Sequence, residues 1–362
     1  MKSDTRATTT GSLQNKSSLT KAAVLYQPNE PLRIEELSCP ELAEGQVLVK
    51  VSFSGICHSQ LLEIRGKRGV DRYLPHTLGH EGSGIVQAVG PRVTRVTPGD
   101  SVILSWIKGP GINAAPPTYR TGKQTINGGP LTTFQEYTVA SENRLTPIPK
   151  EIPRDKAALI GCAVATGAGA ILNTAKLERG QTVAIFGAGG IGLCAVQAAR
   201  IMNASKIIAV DLHEEKLRQA QKFGATHTVN ARKEDPIKKI QDLTEGKGVD
   251  TAIEAAGLSE TMENAFHSVR RGGGLAILIG NLPQGMQISI DPFDLICGKR
   301  IVGSWGGETR PERDFLRYLD FYQTGKLKLD ELISHRFRLE EINEAFDALE
   351  NGEVSRALVA FE

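Results

Sequence analysis

The sequence lacks the features that mark membrane-embedded, secreted and nucleic-acid-binding proteins. By simple inspection, no apolar run approaches the roughly 20 residues that span a bilayer. The first 20 residues contain no apolar core of the kind found in a secretory signal. The formal net charge is only +2, which gives no electrostatic reason to expect nucleic acid or an anionic membrane as a partner. The sequence therefore predicts a soluble globular protein with neither of these partners.

Cysteine is also scarce. The chain has five cysteines, an odd number, at scattered positions: Cys39, Cys57, Cys162, Cys194 and Cys297. This pattern does not fit a disulfide framework and favours a reducing compartment. We therefore expect a cytoplasmic protein in which a cysteine is either a ligand or a buried apolar side chain.

The N-terminal segment MKSDTRATTTGSLQNKSSLT is rich in serine and threonine and has one acidic residue. Such a composition cannot bury enough apolar surface to fold, so residues 1–20 are predicted to be a disordered tail. A transit peptide is the alternative that the composition leaves open.

The remaining chain shows two successive patterns. Between about 21 and 150, short β-like runs are separated by Gly, Pro and Asn, as in KAAVLY, QVLVKVSFS and GSGIVQAVG. From about 165 to 300, apolar strands such as TVAIF and KIIAVD alternate with helical stretches. This alternation is typical of a parallel sheet covered by helices. A chain of 362 residues is long enough for two such domains.

A glycine-rich loop joins the strand TVAIF to the helix that follows it. Its first glycine allows a tight turn, its second lets backbone N–H groups reach a pyrophosphate, and its third lets the helix pack on the strand. A carboxylate at Asp211, at the end of the next strand, would bind a ribose and repel a 2′-phosphate. The loop therefore predicts a dinucleotide site that prefers NAD to NADP, at Gly187, Gly189, Gly190, Ile191, Gly192 and Asp211.

Three potential metal ligands lie far apart in the sequence. Cys57 occurs in GICHSQ, His80 in LGHEGSG and Cys162 in IGCAVATG. Two thiolates and one imidazole form a ligand set of catalytic zinc, with a fourth position free for water or substrate. However, each residue alone also fits a buried or turn position. From spacing alone, the metal site and the purely structural interpretation remain equally open.

Taken together, several motifs resemble those of the zinc-dependent alcohol dehydrogenases of the medium-chain dehydrogenase/reductase family. These motifs are GICHSQ, GHEGSGIVQAVG, PGD at 98–100, GAGGIG and the C-terminal LDELISHRFRLEEINEAFDALENGEVSRALVAFE. The resemblance covers the chain from about residue 21 to its end. It implies an α/β protein in which a GroES-like β-rich catalytic domain, over 21–163 and 301–362, is interrupted by a Rossmann domain over 164–300.

The resemblance also implies roles for individual residues. Cys57, His80 and Cys162 correspond to the protein ligands of the catalytic zinc, and Glu81 to a carboxylate that can approach the metal. Ser59 corresponds to the hydroxyl that accepts the alcohol proton. Further cofactor contacts are implied at His58, Thr166, Lys216, Gly280 and Arg356.

Three positions depart from the family pattern. Gln60 stands where many members have an aspartate that orients the ligand histidine, and an amide accepts a hydrogen bond less strongly than a carboxylate. Leu62 replaces a histidine that ends the usual proton relay. Residues 101–134 contain no cysteine, so the thiolates that hold a structural zinc in many members are missing. We expect this segment to be an ordered loop near the substrate pocket or at a subunit contact. Trp106 is expected either to line the pocket or to pack in the core.

The sequence thus predicts an alcohol dehydrogenase that moves a hydride between a small alcohol or carbonyl substrate and NAD(H), with one catalytic zinc and no structural zinc. A homodimer or homotetramer is implied by the resemblance. Two alternatives remain: a zinc-free quinone or enoyl reductase of the same superfamily, and a non-catalytic nucleotide-binding protein. The substrate and the direction of the reaction do not follow from the sequence.

Overall fold

The computed structural model describes residues 19–362. The predicted disordered tail, residues 1–20, therefore lies outside the described residues except for its last two. Leu19 and Thr20 are the first residues of strand β1, so the predicted disorder is wrong for these two residues.

The first part of the chain is rich in β-structure, as expected. Its strands are β1 (Leu19–Leu25), β2 (Arg33–Ser38), β3 (Gln46–Gly55), β4 (His76–Thr77), β5 (Glu81–Val89), β6 (Ser101–Ser105), β7 (Thr118–Thr121), β8 (Gln124–Asn127), β9 (Tyr137–Ser141) and β10 (Leu145–Ile148). One short helix, α1 (His58–Ile64), follows β3. Strands β1, β2, β7, β8 and β4 close into a small barrel.

The second part alternates strands and helices. Its strands are β11 (Thr182–Phe186), β12 (Lys206–Asp211), β13 (His227–Asn230), β14 (Thr251–Glu254), β15 (Leu275–Leu278) and β16 (Arg300–Gly303). The helices are α4 (Gly190–Ile201), α5 (Glu214–Phe223), α6 (Pro236–Leu243), α7 (Ser259–Ser268) and α8 (Pro292–Ile296). All neighbouring strands pair in parallel in the order β13-β12-β11-β14-β15-β16, which is the doubly wound nucleotide-binding arrangement.

The C-terminal part returns to the first sheet. It contains α9 (Pro311–Gln323), β17 (His335–Phe337), α10 (Ile342–Glu350) and β18 (Ala357–Ala360). Strand β18 pairs with β3 in a sheet whose order is β10-β6-β5-β3-β18-β17, with β9 also on β3. Strand β16 belongs to the parallel sheet but extends from Arg300 to Gly303, past the domain boundary predicted at residue 300. The predicted domain limits remain a prediction.

A long helix connects the two parts of the molecule. It begins with α2 (Arg154–Leu159), continues through a π-helical turn at Ile160–Val164 into α3 (Ala165–Gly169), and ends in a second π-helical segment at Ala170–Ala175. By length and composition, the segment Arg154–Ala175 could cross a membrane. The prediction that no apolar run approaches the length of a membrane span was therefore wrong. However, 83% of its most apolar window is buried inside the fold, as in the core helix of a globular protein.

The segment expected to be a loop, residues 101–134, is only partly irregular. Strands β7 and β8 form an antiparallel hairpin within it and complete the barrel. The buried side chain of Glu142 connects the irregular stretch before this hairpin to the loop between β5 and β6. Its carboxylate accepts backbone N–H bonds from Thr94 at 2.6 Å, Arg95 at 2.7 Å and Ile112 at 2.7 Å.

We expect Glu142→Gln to lower the free energy of unfolding by about 1–3 kcal/mol near neutral pH, because an amide nitrogen cannot accept these bonds. Burial alone would raise the pKa of Glu142, but the backbone N–H groups of Ile112, Thr94 and Arg95 bring it below its ordinary value. A carboxylate whose pKa is lowered by folding stabilises the protein above its unfolded pKa, about 4.3, and loses that contribution as the pH falls through the folded pKa.

Denaturant unfolding of both proteins across this pH range would test the prediction. The difference between wild type and variant should shrink toward acidic pH. A difference that stayed constant with pH would contradict a role for the ionised carboxylate.

Candidate active site

The three predicted metal ligands meet at one point of the fold. Strands β3 and β5 are antiparallel, so the residues that follow β3 lie beside those that precede β5. Cys57 comes two residues after β3, and His80 comes directly before β5. Cys162 arrives from the π-helical turn of the long helix. Their ligand atoms all lie within 4.8 Å of one another, and His80 Nε2 is 3.2 Å from Cys162 Sγ.

The two buried thiols shift each other's pKa in opposite directions. The hydrogen bond from Cys162 is the main reason why the pKa of the Cys57 thiol is lowered, with His80 adding to the effect. The same contact with Cys57, together with burial, raises the pKa of Cys162. Both thiols must lose their protons to act as ligands, and a divalent cation among them would compensate the resulting charge.

The Gln60 side chain contacts Nδ1 of His80, the ring nitrogen that does not face Cys162. The amide nitrogen of Gln60 lies 2.6 Å from His80 Nδ1, whereas its buried oxygen Oε1 has no partner. In this arrangement the amide donates to Nδ1, so His80 Nε2 carries the proton and donates to Cys162. Half a turn of the amide would let Oε1 accept from Nδ1–H. The Nε2 lone pair of His80 would then be free for a metal, and the orphaned oxygen would gain its bond.

A cavity of about 1040 Å³ opens above these ligands. Ser59, Thr166, Ile191 and Gly280 line it together with the three ligand residues. The Ser59 hydroxyl lies 3.4 Å from Cys57 Sγ and donates to it, so it stands close to any group held by the sulfur ligands. The cavity thus combines the thiol cluster, a hydroxyl and the edge of the glycine loop.

Glu81 lies apart from the converged ligand atoms. Its fully buried carboxylate pairs with the Arg356 guanidinium, which also donates to the backbone oxygen of Ile56 at 3.1 Å. The Arg356 side chain also touches the start of α4, because a Cβ on Gly190 would lie 3.0 Å from its Cδ. Arg356 therefore links the metal-ligand segment to the predicted phosphate site. The metal-approaching role predicted for Glu81 stays a prediction.

The glycine loop has the geometry that a bound pyrophosphate needs. Gly187 has φ +95°, which favours glycine, and a Cβ on Gly192 would lie 1.8 Å from the Gly187 oxygen. Gly189 is different, because a Cβ there would meet no protein atom within 4 Å. Backbone conformation thus explains why position 187 is a glycine, and close packing explains why position 192 is one. Beside Gly189, by contrast, there is open space at the N-terminus of α4. That space fits a phosphate group.

The remaining predicted cofactor residues surround this loop. Asp211 ends β12 and accepts backbone bonds from Ala188 at 2.8 Å and His213 at 3.0 Å, so the carboxylate is fixed beside the glycine turn. Lys216 lies on α5, and His58 is an exposed first residue of α1. The cofactor roles of all of these residues stay predictions.

Comparisons with known proteins agree with this geometry. The family description "Alcohol dehydrogenase GroES-like domain" matches residues 43–150, and "Zinc-binding dehydrogenase" matches residues 190–324. S-(hydroxymethyl)glutathione dehydrogenase of Paracoccus denitrificans is 34% identical over 94% of this chain and 100% of its own length. Alcohol dehydrogenase class-3 of Pisum sativum is 35% identical, covering 94% and 97% respectively.

Among solved structures, benzyl alcohol dehydrogenase from Acinetobacter calcoaceticus superimposes with a TM-score of 0.85 at 29% identity, covering 95% of this chain and 100% of that one. The chain belongs to the zinc-type medium-chain alcohol dehydrogenases. The predicted family, the GroES-like and Rossmann fold and the oxidoreductase activity are thereby confirmed. Membership of this alcohol dehydrogenase family implies the use of zinc and NAD.

Sequence reasoning missed part of the cavity wall. Trp305 follows β16 and packs edge-on against Trp106, with ring centroids 4.9 Å apart. Trp106 lines the cavity, as one of its two predicted placements required, and its ring lies 6.5 Å from that of His80. Trp305 is 78% exposed. Because 199 positions separate the two tryptophans, no local pattern in the sequence links them.

The contact between Gln60 and His80 predicts graded effects on metal affinity. Gln60→Leu removes the side-chain oxygen that can accept a bond from His80 Nδ1–H, and loss of such an orienting bond typically weakens metal binding about 10–100-fold. Gln60→Asp supplies a stronger acceptor and should bind zinc at least as tightly as wild type.

Competition with a chromophoric chelator would measure the zinc affinities of wild type, Gln60→Leu and Gln60→Asp. Thermal melting would first establish that the three proteins are folded and equally stable. Equal zinc affinity in wild type and Gln60→Leu would contradict the orienting role of the amide.

Proposed function

We propose that this enzyme interconverts alcohols and their carbonyl compounds with NAD(H) at a single thiolate-bound zinc held by Cys57, His80 and Cys162. The observation that carries this proposal is the convergence of the three ligand atoms within 4.8 Å on the floor of the cavity. Two sulfur ligands and one nitrogen ligand would leave a bound zinc ion one free coordination position for substrate, as catalytic zinc sites require.

The chemistry divides between the bound groups and the chain. When bound, zinc lowers the proton affinity of the alcohol oxygen and NAD⁺ accepts the hydride, so the two electrons leave with the hydride. Ser59 Oγ takes the hydroxyl proton, because it is the hydroxyl next to the sulfur ligands. Gln60 holds the tautomer of His80, and the buried Arg356 neutralises Glu81 below the site.

Proton release needs a route that does not use position 62. Leu62 is buried on α1 and cannot carry a proton. Ser59, by contrast, lines the open cavity. We propose that the proton passes from Ser59 to the cofactor ribose hydroxyls, to His58 or to water.

The cavity supports a substrate larger than a two-carbon alcohol. Near the ligands, its wall is formed by the Trp106–Trp305 pair and Ile191, which together offer more apolar surface than a two-carbon alcohol can cover. We propose an alcohol that carries an aryl group, since aromatic rings pack edge-on against such a pair.

We also propose a homodimer or homotetramer, as the family resemblance implies. Strand β16 is the outermost strand of the parallel sheet, and exposed apolar side chains surround it. These side chains are Phe293, Leu295, Ile296, Val302 and Trp305. A second copy could pair with this edge across a twofold axis and cover them. The cytoplasmic location stays a prediction.

The direct test of the function combines metal content with turnover. Compared with wild type, Cys162→Ala should lose one equivalent of zinc per chain and at least about a thousandfold of kcat/KM for an arylmethanol with NAD⁺, which corresponds to ~4 kcal/mol of transition-state stabilisation. Cys39→Ala, a buried cysteine of the barrel, is the matched control and should keep both.

Two outcomes would contradict the proposal. Zinc-free wild-type protein that reduces enones would indicate the quinone or enoyl reductase alternative. Stoichiometric zinc without turnover of any alcohol would indicate a non-catalytic nucleotide-binding protein.

The carboxylate of Asp211 leads us to expect a preference for NADH over NADPH. Its negative charge should repel the 2′-phosphate of NADP, so wild type should bind NADH at least about tenfold more tightly than NADPH, a difference of ~1.4 kcal/mol. Asp211→Asn keeps the shape of the side chain but removes its charge, so the dissociation constants of NADH and NADPH should become more similar. Dissociation constants from cofactor fluorescence would measure it, with the exposed Asp242→Asn as control. An unchanged ratio in Asp211→Asn would contradict the assignment.

A further inference from the structure

A second group of potential metal ligands lies on another wall of the same cavity. It consists of Glu63 in the last turn of α1, Asp71 in the following loop and His76 at the start of β4. One ligand atom from each residue lies within 4.8 Å of the other two. His76 is buried, and the side chains of Asp71 and Glu63 are only 15% and 28% exposed.

The hydrogen bonds of His76 fix its tautomer. His76 Nδ1 lies 2.9 Å from the backbone oxygen of Thr77, which can only accept, so Nδ1 carries a hydrogen. In the neutral ring, the lone pair of Nε2 then points at Asp71 Oδ2 at 2.8 Å and Glu63 Oε1 at 3.8 Å. Three electron-pair donors thus face one another in the neutral ring, so either a proton or a metal cation must lie among them.

The outward-facing oxygens of the two carboxylates have partners of their own. Asp71 Oδ1 accepts the backbone N–H of Tyr73 at 2.9 Å, and Glu63 Oε2 lies 3.9 Å from the Arg68 guanidinium. Each carboxylate therefore directs its other oxygen at His76.

We propose that Glu63, Asp71 and His76 bind a divalent cation at a second site in the cavity wall, separate from the thiolate site. Two carboxylates and one imidazole suit a first-row ion such as Zn²⁺, Mn²⁺ or Co²⁺. The bond from Nδ1–H to a backbone carbonyl is the support that metal-binding histidines typically have. Because Glu63 and His76 line the cavity, the open positions of this ion face the substrate space.

Cobalt titration of the metal-free full chain separates the two sites, because only a sulfur-ligated ion gives intense thiolate-to-metal charge-transfer absorption. The wild-type chain should bind two equivalents of Co²⁺, and the charge-transfer absorption should reach its full intensity after one equivalent. Asp71→Asn and Glu63→Gln keep the side-chain shapes, and each should weaken one equivalent at least tenfold while leaving the charge-transfer absorption unchanged. The exposed Glu41→Gln is the matched control, and thermal melting checks that every variant is folded.

The outcomes distinguish this proposal from the proposed function. If wild type binds one equivalent and folded Asp71→Asn binds it equally well, the second site does not exist and a proton joins His76 to Asp71. If the charge-transfer absorption never develops but one equivalent binds and is lost in Asp71→Asn, the thiolate site fails and the second site stands.

Discussion

The close contact between the π-helical turn Ile160–Val164 and strand β6 determines where the chemistry can occur. A Cβ on Gly161 would lie 2.4 Å from the Leu104 oxygen, and the Ser105 hydroxyl donates to the Gly161 oxygen at 2.6 Å. Only glycine allows this approach, and the next residue is Cys162. The backbone of Trp106, just after β6, also bonds to the His80 oxygen at 2.9 Å. One contact therefore brings the third ligand to the other two and places the aromatic wall beside them.

The buried Arg356 connects this metal corner to the nucleotide half. It lies directly before β18, the strand that returns the C-terminus to β3, and it contacts Glu81, Ile56 and the start of α4. The site therefore depends on segments from the beginning, middle and end of the chain. A change in how strand β18 pairs with β3 would therefore alter the positions of both the thiol cluster and the glycine loop.

Local patterns in the sequence predicted much of this architecture. The glycine loop, the strands around it and the approximate position of the helix after it followed from spacing, because backbone geometry there requires particular residue types. The metal ligands became convincing only through family resemblance, since convergence of Cys57, His80 and Cys162 depends on strand pairing and helix packing. The contact of Trp106 with Trp305, and the grouping of Glu63, Asp71 and His76, arise from tertiary structure alone. The apolar helix Arg154–Ala175 was missed because small residues conceal its hydrophobic character.

The central claim is that zinc binds to two cysteine sulfurs and one histidine in this cavity. X-ray absorption at the zinc edge, on protein loaded with one equivalent of zinc, tests it most directly. We expect two sulfur neighbours at about 2.3 Å and nitrogen or oxygen neighbours at about 2.0–2.1 Å. A shell made only of nitrogen and oxygen would contradict it, because zinc would then have bypassed Cys57 and Cys162.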